Sequence, residues 1–221
     1  MFGLHPYRRL EDLPDPLPIF PLSGALLLPR GELPLNIFEP RYLAMIDAAL
    51  AGDRVIGMIQ PCEPETKVLK PALMAVGCAG RITGFRETED GRCLITLTGI
   101  CRFAIARELD VPTPFRQVAP DYVPFIADLR PPSDTGWEFP RDRLMLALKT
   151  YLSDRNLQAD WESMTSAPAE ALVNALAMLC PFEPAEKQAL LEAIGWPERV
   201  ETLIALLEMA GLGPAGGTTM N

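Results

Sequence analysis

Histidine is almost missing from this 221-residue chain, and His5 is its only imidazole. A Ser-His or Cys-His nucleophile pair would have to draw on that one residue, in a terminus that reads as loose. The five cysteines, Cys62, Cys78, Cys93, Cys101 and Cys180, are odd in number, and no two stand at CxxC spacing. Neither a zinc cluster nor a disulfide framework is expected of them; they read as reduced, mostly buried thiols. No metal and no cofactor is implied. Lysines are few (Lys67, Lys70, Lys149 and Lys187), and no local sequence nominates a Ser-Lys nucleophile. GxxxxGK[ST], GxSxG and HExxH are absent, and no GxGxxG opens a helix after a strand. The acids Glu87, Glu89 and Asp90 crowd a predicted hairpin tip, and a solvated turn accounts for them better than paired acid-base chemistry. No catalytic residue is expected, and the chain reads as a non-enzyme.

Long apolar runs are missing too. None reaches the roughly 18 residues that would span a bilayer, and the first eighteen residues lack the apolar stretch of a secretory signal. A cytoplasmic protein without a membrane partner is expected. Excess positive charge is the third absence: 20 Lys+Arg against 29 Asp+Glu give a net charge of -9. Residues 1–130 hold 14 basic and 16 acidic side chains, and residues 131–221 hold 6 and 13. Nucleic-acid binders usually carry Lys and Arg in excess to meet phosphate, so nucleic acid is a poor partner for this chain.

What is present is a globular composition. With 48% hydrophobic and 22% charged residues, the chain can bury a core without a metal or disulfide staple. Residues 1–16 read as an extended N-terminus. Residues 17–38 are apolar but broken by Pro18, Pro21, Pro29 and Pro34, which predicts short strands and turns rather than helix. After Pro40, residues Tyr42, Leu43, Met45, Ile46, Ala49 and Leu50 recur at helical spacing up to Gly52, and a strand is predicted over 55–60. Residues 61–72 read as a loop. Residues 76–105 predict a long hairpin turning at Asp90-Gly91. With a two-residue turn, Glu89 faces Arg92 and Ile82 faces Gly99. Val76, Cys78, Ile82, Ile95, Leu97, Cys101 and Phe103 then share an apolar face, and Arg81, Thr83, Thr96, Thr98 and Arg102 the opposite one.

Residues 115–127 allow one more strand, and residues 128–140 read as a linker. Helical stripes follow: Leu144, Leu148, Tyr151 and Leu152; then Leu172, Val173, Leu176, Leu179 and Cys180; then Leu190, Leu191 and Ile194; then Val200, Leu203, Ile204 and Leu207. Pro168 and Pro184 suit helix starts, and Gly195 and Gly211 suit helix ends. The predicted organisation is a β-rich domain over 17–127, a linker over 128–140, a helical bundle over 141–211 and a disordered tail over 212–221. That order is α+β.

Several motifs, in order, resemble the Lon N-terminal (LON substrate-binding) domain family. They are the PL-rich opening of residues 18–36, Ile37-Phe38-Glu39-Pro40-Arg41-Tyr42, residues 76–82, Asp90-Gly91-Arg92, Gly99-Ile100-Cys101-Arg102-Phe103, residues 186–192 and residues 198–201. The resemblance implies a PUA-like β pseudo-barrel followed by a helical bundle. It implies a part in recognising unfolded or tagged protein substrates. In Lon proteases an ATPase and a Ser-Lys protease follow this region. Neither segment is present here, so the sequence resembles the free-standing bacterial relatives.

Five residues are candidates for partner binding: Phe38, Glu39, Arg41, Arg81 and Arg102. Glu39 and Arg41 offer a polar binding surface, or else a helix cap and a local ion pair. Phe38 and Tyr42 read more plainly as core and rim. Arg81 and Arg102, diagonal neighbours in the predicted register, offer two guanidinium groups for a carboxylate or phosphate, or else pair with acids of the helical part. Residues 26–28 suit an exposed peptide-binding strand or a buried one. Trp137, Trp161 and Trp196 read as packing of the helices. The first functional reading is a non-catalytic module for unfolded or extended polypeptide, working with a protease or chaperone. A sheet edge would offer main-chain hydrogen bonds, and a groove between the two parts apolar contact. The alternative is a PUA-like RNA-binding protein.

Overall fold

The computed structural model describes residues 7–63, 70–130, 137–155 and 157–211. His5, most of the 61–72 loop, the middle of the 128–140 linker and the 212–221 tail lie outside them.

Six strands form one sheet: β1 (Leu17–Pro21), β2 (Glu32–Ile37), β3 (Val55–Ile59), β4 (Val76–Glu87), β5 (Cys93–Glu108) and β6 (Gln117–Asp121). Their order is β2-β5-β4-β3-β1-β6, and β6 pairs back onto β5. The length of β5 makes this closure possible. One of its edges pairs with β4, while the other pairs first with β2 (residues 93–98) and then with β6 (residues 104–108). Strands β5, β4, β3, β1 and β6 therefore close on themselves, and among the described residues no strand pairs with the outer edge of β2. Only β1 and β3 run parallel, with Ile19 opposite Gly57.

Inside this ring Leu17, Ile19, Val55, Ile59, Cys101, Phe103, Val118 and Tyr122 form the core. The rings of Phe103 and Tyr122 meet edge-on at 6.3 Å. Helix α1 (Pro40–Ala51) starts with Pro40 in its first turn, where the missing N–H has no intrahelical role. It buries Tyr42, Met45, Ile46 and Ala49, and Tyr42 packs 4.3 Å from the ring of Phe20. Leu26, Leu27 and Leu28 are fully buried, yet they lie in no regular strand. After β6 a 3-10 stretch runs over Val123–Leu129.

The hairpin of β4 and β5 departs from the predicted register. Its last pair is Glu87 with Cys93, so five residues connect the strands rather than two. Thr88 and Arg92 are joined by Thr88 N–H donating to Arg92 O at 2.9 Å, and Gly91 takes φ +78. Irregularities at Ile100 and Thr83 then shift the pairing, so Ile82 faces Leu97, not Gly99.

Five helices follow: α2 (Arg141–Asp154), α3 (Trp161–Ser166), α4 (Ala169–Leu179), α5 (Pro184–Glu192) and α6 (Gly195–Gly211). The chain divides into two units, Met1–Ser133 with Asn174–Glu192, and Asp134–Val173 with Ala193–Asn221. The predicted bundle put all the helices together, whereas the second half of α4 and all of α5 group with the sheet. The cause is polar. Gln188 Nε2 donates to Val76 O, Gln60 Nε2 donates to Gln188 Oε1 and Pro184 O, Lys187 Nζ donates to Gly24 O, and Asn174 Nδ2 donates to Pro29 O.

In the second unit α2 buries Leu144, Leu148, Tyr151 and Leu152, and α6 buries Val200, Leu203, Ile204 and Leu207. Arg143 of α2 bridges Glu201 and Glu208 of α6 at 2.8 and 3.1 Å. Two predicted stripe residues are instead exposed. Leu179 is the last residue of α4, at the edge of its buried arc, and Ile194 lies beyond α5, where helical phase no longer holds. Gly195, at φ +79, opens α6 rather than ending α5. Trp196 packs against Phe139 with ring centroids 6.1 Å apart, but Trp161 is 39% exposed.

Candidate functional site

The five candidate residues do not converge. Phe38, Glu39 and Arg41 sit together where β2 meets α1. Arg81 pairs with Thr98, which pairs with Glu32 at the opposite end of β2. At about 3.3 Å per strand residue, that places Arg81 on the order of 20 Å from Phe38.

Glu39 occupies the N-cap position of α1, but its carboxylate does not cap the helix. It accepts from Arg41 instead, at 2.9 Å from Nε and 2.8 Å from the second nitrogen. The Arg41 guanidinium also lies 4.5 Å over the Tyr42 ring. Phe38 is 62% exposed, so it is not a core residue; the Arg92 guanidinium lies 5.9 Å from its ring centre.

Arg81 and Arg102 are not diagonal neighbours. Arg81 donates to the Tyr7 hydroxyl at 3.1 Å. Arg102 is 5% exposed and faces Cys78 across the hairpin. Its fork grips Asp128, with Nε donating to Oδ2 at 2.8 Å and a terminal nitrogen to Oδ1 at 3.0 Å. Its backbone N–H donates to the same Oδ2, and its other terminal nitrogen donates to Leu191 O. The Phe125 ring stacks 4.8 Å away. This part of β5 is covered on both faces, so Arg102 is a structural ion pair rather than a surface grip.

A groove that the sequence reading missed lies on the outer end of β2, β5 and β4. It is an open cavity of about 450 Å³ lined by three consecutive residues from each strand, 34–36, 94–96 and 84–86. Cross-strand pairing sets its rows: Asn36, Leu94 and Arg86 in one, Pro34, Thr96 and Gly84 in the next. Phe85 is 42% exposed at its wall. The signal for this patch was the hairpin itself, but only its true register brings these residues into rows.

The free edge of β2 borders the groove. A proline fits a paired strand only where its nitrogen faces away from the partner. Pro34 therefore puts its nitrogen on that free edge and removes a donor from it, which blunts strand addition there. Among the described residues, no group of three or more His, Cys, Asp or Glu could hold a metal ion. No helix there is long and apolar enough to cross a membrane. In the second unit, Met145, Leu146, Lys149 and Trp161 line a separate open cavity of about 400 Å³.

The chain resembles known proteins along most of its length. It is 24% identical over 205 residues to a Lon protease of Roseiflexus castenholzii, covering 92% of this chain and 25% of that protein. It is 29% identical over 100 residues to Lon protease 2 of Thermus thermophilus, covering 45% of this chain and 12% of that one. It thus spans a quarter or less of these curated relatives. Among solved structures, the Lon N-terminal domain protein from Xanthomonas campestris matches with a TM-score of 0.57 at 25% identity, covering 86% of this chain and 97% of that one. The N-terminal domain of a Mycobacterium avium complex Lon protease has the same fold, with a TM-score of 0.60 at 19% identity. With residues 16–209 matching the family as a whole, the α+β chain described above belongs to the ATP-dependent protease La (LON) substrate-binding domain family.

Proposed function

We propose that this chain captures unfolded or extended polypeptide without catalysing a reaction on it, for use by a protease or chaperone. The observation that carries the reading is the open groove over β2, β5 and β4, with the exposed Phe38 just past the end of β2, in a member of a substrate-binding domain family. A folded partner hides its apolar side chains, whereas an unfolded one presents them, and the exposed Phe38, just past the end of β2, offers aromatic surface to meet them. Because Pro34 blunts the sheet edge, side-chain contact in the groove carries more of the binding than strand addition does. The residues hold no phosphate loop, so the capture step assigned to them uses no ATP.

The test is a titration of a labelled, permanently unfolded protein beside the same protein folded. Micromolar binding to the unfolded form, changing little with salt, is expected, because the ordering cost falls on a flexible partner and the contacts are mainly apolar. Equal binding of both forms, or binding of a structured RNA that collapses as salt rises, sinks the reading.

A further inference from the structure

We infer that the groove over β2, β5 and β4 selects polypeptide segments in which an acidic side chain stands beside an apolar one, with Arg86 receiving the carboxylate. The inference rests on the capture reading above and names the chemistry of that same site.

Three observations carry it. The first is the row Asn36, Leu94 and Arg86. Leu94 forms an apolar floor, Asn36 presents an exposed amide on one side, and Arg86 presents an exposed guanidinium on the other. Strands stand about 4.8 Å apart, so the two polar groups flank a floor roughly 10 Å wide. That width takes an apolar side chain and a carboxylate side by side.

The second is charge. Four other arginines of this unit are held by carboxylates: Arg41 by Glu39, Arg92 by Asp90, Arg102 by Asp128 and Arg116 by Glu108. Arg86 lines the groove and makes no ion pair with any described carboxylate. In a chain of net charge -9, a cation left facing an open groove is complementary to an acid brought by a partner.

The third is shape. Gly84 lies in the next row, opposite Thr96, and a Cβ there would stand 3.1 Å from the Thr96 hydroxyl. The Thr96 side chain fills the place a Gly84 Cβ would take, so this row raises no further side chain beside Arg86. One unpaired cation above an apolar floor suits a single carboxylate within a peptide. A phosphate backbone would call for several cations in a line.

The experiment uses the full chain and two labelled peptides that are alike except for one residue. Each has an alternating Leu/Ser segment with Glu or Gln at its centre, and binding is followed by anisotropy at low salt. The Glu peptide should bind about fivefold tighter than the Gln peptide, as expected of an exposed charge-assisted pair. Arg86→Gln should abolish that preference by bringing the Glu peptide's affinity down to the Gln peptide's, with the melting temperature unchanged. Equal binding of the two peptides to the unaltered chain overturns the inference but leaves polypeptide capture intact. A preference that survives Arg86→Gln also overturns it, by placing the carboxylate elsewhere. Failure of both peptides while an unfolded protein still binds moves capture away from this groove, and failure of all three removes both readings. A salt-sensitive complex with structured RNA that Arg86→Gln weakens would assign the cation to phosphate and overturn the inference as well.

Discussion

Arg102 shows what a single residue can conceal. On a predicted strand it reads as one member of a polar face, and its partner, Asp128, is 26 positions away at the start of an apparent linker. In the fold both charges are nearly dry, with side chains 6% and 9% exposed. Such a pair is tolerated because every strong direction is used: two bonds from the fork, one from the backbone N–H and one to Leu191 O. Removing one partner leaves the other charge buried without compensation. Asp128→Ala is therefore expected to destabilise the protein by about 3 kcal/mol, read from the urea midpoint at an unchanged m-value. A cost below about 1 kcal/mol would mean that water already reaches the guanidinium.

At the scale of elements, the hairpin shows why composition and register are separate problems. Apolar alternation correctly gave two long strands, but a pleat of period two tolerates a shift whenever a bulge restores the faces. The bulges at Thr83 and Ile100 do this, so neither strand's own pattern reveals them. A further constraint comes from the loop before β2. Arg30 N–H donates to Gly99 O and Gly99 N–H donates to Gly31 O, which holds the buried Leu26–Leu28 segment against β5. A Cβ on Gly99 would lie 2.0 Å from Leu28 O, a backbone atom that cannot swing aside. Gly99→Ala should cost at least about 2 kcal/mol and lower the melting temperature by several degrees. An unchanged transition would show that the segment is free to move off the strand.

For the whole molecule, the buried titratable groups predict how stability responds to alkali. Burial pushes the Cys101 thiol up to about 12 from its ordinary 9.0, with the neighbouring Asp128 adding to the effect. Burial likewise raises the phenols of Tyr122 and Tyr42 above 10.0. Each group stays neutral in the fold while its unfolded counterpart ionises, so its contribution is complete below the unfolded value and is lost as pH rises through the folded one. Lys187 acts in the opposite sense. Desolvation lowers its pKa, so the folded state gains relative stability as pH rises toward 10.5. The acids outnumber it. The urea midpoint is expected to hold steady to about pH 8.5 and to fall by about 2 kcal/mol in free energy by pH 11. A Cys101→Ala variant should show a shallower fall between pH 9 and 11, and an identical slope would remove the thiol from the account.

The elements and the family were legible in local patterns of residues. Proline density excluded helix before residue 40, spacing of 3.6 marked the stripes of α2 and α6, and alternation with Asp-Gly marked the hairpin. These are local patterns, and the chain carries them wherever it goes. That α5 belongs with the sheet emerges only in the folded chain, because Lys187 and Gln188 look like a solvated helix face until their hydrogen bonds to Gly24 and Val76 are seen. Folding alone separated Arg81 from Arg102 and Phe38, and it alone lined up Asn36, Leu94 and Arg86 across three strands. A groove of this kind is a product of register, and register is fixed by bulges and long-range pairs that no single strand encodes.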